Sequence, residues 1–366
     1  MIDLKNISLN FILSTGRTGS TLLSSMLNMH PEILSVSEEP FAYNLYPKYK
    51  NVTNWTDDTI EQFCYDFYLF SEGKLEPQFG KKDDIVKLLK KHQSILTGEY
   101  AIKLAYFAFF PNKNKDAVNT IVDKELIFHY VLDKVVSYYP KSKFIILHRD
   151  PRDNVLVKLK RAKVKGRGAS LFYFAKFWNY TYKTLDRKLQ KISSDKFIHV
   201  KYEDLVSKPE QTLQVICKFL NINYHKDMLM FNERFNQEMN SDNSLLENSV
   251  KNHISILHQG LTKKVNTDKL GLWKKDLSTA ENNIIWSICG EIAKKNGYFE
   301  DGCKKVSYFK LSYLYDWFQF SYKRIVVPTL YHCLPFKFKY FLKKLKYGKQ
   351  LKQDKLIVNY YSEPKT

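Results

Sequence analysis

The apolar positions Ile7, Leu9, Phe11, Ile12 and Leu13 read as a strand that stops at Ser14-Thr-Gly-Arg-Thr-Gly-Ser-Thr21. Leu22, Leu23, Met26 and Leu27 then recur at helical spacing, so the pattern predicts strand, tight turn and helix. Pro31 disfavours helix in its predecessor and sets the helix end near Met29-His30. Further along, strands are predicted over 32–36, 100–105 (carrying Lys103), 143–147 and 197–200. Helices are predicted over 57–70, 83–92, 124–138, 171–192 and 209–220, the last with Pro209 in its first turn. Strands alternating with helices imply an α/β fold with a parallel sheet flanked by helices. Residues 53–98 form a helical cap insertion in this reading, and ligands are expected at the carboxyl ends of strands. The turn at Gly16, the pair Glu38-Glu39 and the segment at Arg149 all follow predicted strands, so one site can gather them.

The first turn has the chemistry of a phosphate cradle. A Gly- and hydroxyl-rich turn opening a helix aims backbone N–H groups and the helix N-terminus at an anion. It is not the triphosphate loop, which requires G-x-x-x-x-G-K-[ST]. Gly16 and Gly19 are too close together, no Lys precedes Ser20, and the cation is Arg17 within the turn. The expected ligand is a phosphate ester rather than a magnesium-bound triphosphate.

Composition changes the picture in two respects. The chain has 366 residues, 44% hydrophobic and 15% aromatic, enough for a large core. Its 58 basic and 38 acidic residues give a net charge of +20, which favours anionic partners. The cysteines Cys64, Cys217, Cys289, Cys303 and Cys333 form no C-x-x-C pair, so no zinc site or disulfide framework is expected. The N-terminus enters the first strand without a basic n-region or cleavage site, and no apolar run is long enough to span a bilayer; the expectation is a cytoplasmic protein with reduced thiols. From residue 304 aromatics and lysines interleave. Phe338, Phe341, Leu342 and Leu345 recur at helical spacing, either as a basic amphipathic segment for a membrane surface or partner groove, or as a terminal helix packing its aromatic face on the domain. The division expected is a domain over 1–303 with a C-terminal extension over 304–366.

Four segments, in order, resemble the sulfotransferases that use 3′-phosphoadenosine 5′-phosphosulfate (PAPS). They are residues 14–21 with His30-Pro31 and Glu38-Glu39-Pro40; Phe144-Ile-Ile-Leu-His-Arg-Asp-Pro-Arg-Asp153; Lys201-Tyr-Glu-Asp-Leu205 with Pro209 and Phe219-Leu220; and Val265-Asn-Thr-Asp-Lys-Leu-Gly-Leu-Trp-Lys274. The resemblance covers residues 8–298 and is closest to the tyrosylprotein and carbohydrate branches. It implies a P-loop-like single domain that moves a sulfuryl group onto an acceptor hydroxyl of a glycan, glycolipid, protein tyrosine or small molecule, without a metal. It places Arg17 at the leaving phosphate, a preorganised electrostatic role for a guanidinium. Ser14, Gly16, Thr18, Gly19, Ser20 and Thr21 would hold the 5′-phosphate, and Arg149 the 3′-phosphate. Tyr202 would lie near the adenine, with Lys269, Leu270, Trp273 and Lys274 in the late nucleotide loop. Glu39, or its neighbour Glu38, would be the general base. Where the family places a Ser eight residues after the 3′-phosphate arginine, this chain has Val157, which donates no hydrogen bond; Lys158 or Arg161 are the substitutes nearby. A nucleotide kinase or NTPase is the competing enzyme, opposed by the missing Lys. A basic membrane or nucleic-acid module is the competing binding protein; no RNA-binding signature, helix-turn-helix or zinc pattern is present, so no specific nucleic acid is expected.

Overall fold

The computed structural model describes residues 2–37, 40–71, 82–107, 113–164, 168, 170–240, 261–307 and 312–352. Among them β1 (Ser8–Leu13), β2 (Ile33–Ser37), β3 (Thr120–Glu125), β4 (Phe144–His148) and β5 (Phe197–Lys201) form one sheet in the order β2-β3-β1-β4-β5. Every pairing is parallel. The inner strands are apolar on both faces because helices cover both. Successive residues therefore feed different cores. Phe11, Leu13 and Ile146 pack with Phe128, Val155 and Trp178 on one face, and Ile12, Ile145 and Leu147 with Leu23, Met26 and Ile216 on the other.

Helices α1 (Ser20–Asn28), α9 (Tyr202–Ser207) and α10 (Pro209–Leu220) supply the second face, and α6 (Phe128–Tyr138), α7 (Pro151–Val164) and α8 (Leu171–Leu189) the first. The chain between β2 and β3 holds α2 (Phe41–Tyr49), α3 (Asp57–Phe70), α4 (Lys82–Lys91) and α5 (Gly98–Tyr106), so the helical insertion predicted over 53–98 has helices that begin earlier, at Phe41, and end later, at Tyr106. Its aromatic core joins the first face: Phe41 meets Phe67 at 4.8 Å and Tyr106 at 4.5 Å between ring centroids.

Two predicted elements are corrected. Residues 100–105 are helical, not a strand. Thr97 caps α5 by accepting from the Tyr100 N–H at 3.2 Å. A short apolar run buried on all sides carries no period to separate helix from strand. Lys103 consequently points into the core, paired with Glu99 at 2.7 Å and donating to the Leu4 carbonyl at 3.2 Å, so it does not face an acceptor. The helix predicted over 124–138 begins instead at Phe128, and β3 precedes it. Asp123, Lys124 and Glu125 disguised that strand as a solvated helix start, yet all three are buried. The Tyr106 hydroxyl donates to Asp123 at 2.6 Å, and burial holds that carboxyl above its ordinary value.

The C-terminal segment runs as helix Ser312–Phe320, a π-type stretch Ser321–Val326, helix Val327–Cys333 and helix Phe336–Lys352. It lies on the domain. Tyr313 stacks on Phe172 at 4.8 Å, Arg324 sits 4.2 Å over the Phe177 ring, and the Tyr130 hydroxyl donates to the Arg324 carbonyl at 2.7 Å. In the last helix Phe336 and Tyr340 pack on Phe70 while Lys339 donates to the Tyr43 hydroxyl. The stripe singled out in the sequence, Phe338, Phe341, Leu342 and Leu345, is the opposite face, and it is exposed. Among the described residues no helix is long and apolar enough to cross a membrane.

Candidate functional site

From β1 the chain passes to β2 and β3 on one side, and β4 and β5 lie on the other, so the loops after β1 and β4 part at the carboxyl edge. Such a switch point leaves a crevice for a ligand. The loop after β1 is shaped by two left-handed residues, Arg17 at φ 69° and Gly19 at φ 83°. Gly19 is required twice over: a Cβ there would lie 2.4 Å from the Tyr202 ring, so only hydrogen fits between the loop and α9. The loop is pinned from beneath. Asn154 of α7 donates to the Gly16 carbonyl at 3.1 Å, and the wholly buried Thr18 hydroxyl donates to the Thr15 carbonyl at 2.9 Å. Ser20 and Thr21 open α1, whose N-terminal N–H groups face the crevice end of the loop.

Arg149, first after β4, ties three segments together. Its Nη1 donates to the Arg17 carbonyl at 3.3 Å and its Nη2 to the Lys269 carbonyl at 2.6 Å, and its guanidinium lies 4.5 Å over the Tyr202 ring. The Arg149 carbonyl accepts from the Trp178 indole at 3.1 Å, which fixes the turn into α7. The loop after β1, the segment after β4, the start of α9 and the late loop thus meet at one place. Partial burial first, then the positive charges of Arg17 and Arg149, push the Lys269 ammonium below its ordinary value. Three cations held against their mutual repulsion suit a multiply charged anion. Two buried donors of the loop after β1 and the Arg149 segment lack a protein partner among the described residues: the Ser14 hydroxyl and the Arg149 Nε. Both are donors that an oxyanion would satisfy.

Further predicted residues of the late loop make other contacts. Trp273 is buried with its ring 3.7 Å from the Arg152 guanidinium, so it anchors its loop by packing. Lys274 is exposed and turned towards Asp301 at 4.0 Å. Leu270, beside Lys269, is half-buried and bonds back to the Thr267 carbonyl within the loop. Glu38 and Glu39 lie outside the described residues.

The sequence reading missed the acids that hold the site. Asp153 accepts from the Gly271 N–H at 2.8 Å and the Trp273 N–H at 3.0 Å, docking the late loop on α7. Asp150 pairs with the buried Arg152 at 2.7 Å, while Glu203 accepts from the Asp150 N–H and the Tyr298 hydroxyl, each at 2.9 Å. The signal was an acid, Asp153, in the first turn of the helix that follows Arg149, where a carboxylate is favoured and can accept backbone N–H groups. Lys124 and Glu125 were also missed; in register Glu125 lies opposite Leu13, so both end at the edge where the Arg17 loop begins.

Lys158 is the one substitute for the absent serine that the structure buries, but its surroundings are Phe177, at 5.0 Å, and the charges of Arg324 and Arg17. Its Nζ has no partner among the described residues, and burial pushes the ammonium down to about 7. An unfolded chain holds that proton until near the ordinary 10.5. Unfolding therefore takes up a proton between these values, and the penalty is fullest below pH 7 and fades towards 10.5. Lys158→Met, of similar length and apolar, is expected to stabilise the ligand-free protein by about 1–3 kcal/mol at acidic to neutral pH. The gain should shrink at alkaline pH. Thermal melts of both proteins at low and high pH check this, and a gain that is flat with pH refutes the buried charge.

A family model described as the sulfotransferase family matches residues 10–226. A putative protein-tyrosine sulfotransferase of Caenorhabditis briggsae is 26% identical over 250 residues, 67% of this chain and 77% of that protein. Protein-tyrosine sulfotransferase 2 of Gallus gallus is 26% identical over 273 residues, 74% of this chain and 64% of that protein. Among solved structures, the sulfotransferase domain of the Synechococcus PCC 7002 olefin synthase aligns over 80% of this chain and 96% of that one, at 20% identity and a TM-score of 0.49. With more than half of its length matched, and the loop after β1 and Arg149 inside the matched span, the chain belongs to the sulfotransferase family.

Proposed function

We propose that this sulfotransferase takes its sulfuryl group from PAPS and places it on an acceptor hydroxyl. One observation carries the reading: Arg149 joins the Arg17 loop to the Lys269 loop while covering the Tyr202 ring, so cations and an aromatic face surround one crevice. The backbone of residues 16–20 would cradle the 5′-phosphate, Arg149 would take the 3′-phosphate, and Tyr202 would flank the base. Arg17 would stabilise charge growing on the leaving phosphate oxygen as the sulfur–oxygen bond to phosphate breaks and that to the acceptor forms. Glu38 or Glu39 would accept the hydroxyl proton, leaving a sulfate ester and adenosine 3′,5′-bisphosphate. The relatives' names support a protein tyrosine as the acceptor; a glycan, glycolipid or small molecule fits the same chemistry. The protein would work in the cytoplasm, with peripheral contact at a membrane through its C-terminal segment.

Isothermal calorimetry with adenosine 3′,5′-bisphosphate tests the donor. Binding is expected at least about tenfold tighter than that of adenosine 5′-monophosphate, a difference of at least about 1.4 kcal/mol. Equal binding of the two, or none of either, removes PAPS from the reading. Transfer of labelled sulfate to tyrosine peptides, glycans and lipids then selects the acceptor class.

A further inference from the structure

We propose that the outer face of the C-terminal segment is a docking surface for an anionic lipid bilayer. This deepens the membrane contact named above and rests on that part of the reading, not on the donor chemistry.

Most of the large hydrophobic side chains that the described residues expose are in this segment. They are ordered. Leu314, Phe318, Tyr322, Val326 and Leu330 repeat every fourth residue, with Phe318 64% and Leu330 63% exposed. In an α-helix each fourth residue drifts about 40° round the axis. The π-type stretch Ser321–Val326, with its wider turn, takes back part of that drift, so the stripe stays on one side. After the break at Leu334-Pro335, the last helix exposes Phe338, Phe341, Leu342 and Leu345, with Phe338 60% and Leu345 64% exposed.

The inner faces exclude the bland account that these residues await packing on their own domain. Tyr313, Phe320 and Arg324 already cover α8, His332 is held by Lys134, and Phe336, Lys339 and Tyr340 cover α2 and α3. With the inner faces occupied, each helix leaves an apolar outer stripe in water, larger than scattered surface hydrophobes account for.

Charge selects the occupant. Residues 312–352 carry nine Lys and Arg against one acid, Asp316. Lys323, Lys337, Lys344 and Lys346 are exposed among the apolar positions. Aromatic and leucine side chains with interleaved lysines on long stems match the boundary of an anionic bilayer, where the rings enter the acyl edge and the ammonium groups reach the headgroups. Two copies meeting through this face would bring like charges together.

The test uses the full chain in flotation with phosphatidylcholine vesicles, with and without phosphatidylglycerol. Binding is expected on the anionic vesicles, and about tenfold weaker on pure phosphatidylcholine or at high salt. Phe318→Ser with Leu330→Ser, and separately Lys337→Glu with Lys344→Glu and Lys346→Glu, should each weaken it by about tenfold or more. These residues are exposed, so thermal midpoint and bisphosphate binding should stay unchanged. Absence of anionic-vesicle binding by the unsubstituted chain overturns the proposal, as does binding that survives both sets of substitutions. A dimer that Phe318→Ser with Leu330→Ser turns into monomer assigns the face to a second copy and overturns it equally. Bisphosphate binding is read in the same samples, so loss of the donor reading and loss of the lipid surface are separate results.

Discussion

Arg17→Ala is expected to lower the turnover number by about 10²–10³-fold while leaving PAPS affinity within a few-fold of the unsubstituted protein. The reason is the timing of charge. A guanidinium beside the breaking sulfur–oxygen bond contributes little until the phosphate oxygen gains charge, so its removal falls on the chemical step. Ala is the right replacement because of the backbone. Arg17 sits at φ 69°, where any side chain with a Cβ is strained, so Ala keeps the penalty that Arg already bears and the comparison isolates the guanidinium. Single-turnover rates with labelled PAPS measure the effect. A normal rate would remove Arg17 from the reaction; equal losses in rate and nucleotide affinity would make it a binding residue.

For Arg149→Ala the expected loss is in binding: about 10²-fold or more for adenosine 3′,5′-bisphosphate, from an abolished bidentate, charge-assisted contact. Arg149 also holds the Arg17 and Lys269 carbonyls, so its loss loosens both loops. Adenosine 5′-monophosphate separates the two roles. Its affinity should fall much less, because it has no 3′-phosphate to lose. Equal losses for the two nucleotides would restrict Arg149 to holding the loops. Arg149→Lys keeps the charge but not the fork, and it should recover only a small part of the bisphosphate affinity.

Much of this site was legible without coordinates because it is built from local pieces. Strand, glycine turn and helix are consecutive in sequence, and their apolar spacing is enough to place Gly16, Arg17 and Gly19 at a helix start. The same holds for Arg149 at the end of a continuous apolar strand and for α10, whose first residue is Pro209. What failed was local pattern without a unique period. The buried run at 100–105 is helical, and the Asp123-Lys124-Glu125 run is a central strand. Charged residues are read as solvent-facing, and here they are buried at a strand end instead.

The chain order of its motifs by itself determined the α/β alternation, the glycine turn with arginine for lysine at a helix start, and the family. Those features depend on residues within a few positions of one another. Only the tertiary structure decided that Arg149 bonds to carbonyls 132 and 120 residues away, that Asp153 docks the late loop, and that the tail's exposed stripe is not the face it packs. Each of these turns on which of several equivalent side chains meets a partner distant in sequence. That is set by the strand order and by which helix face the sheet covers, quantities that no local spacing encodes.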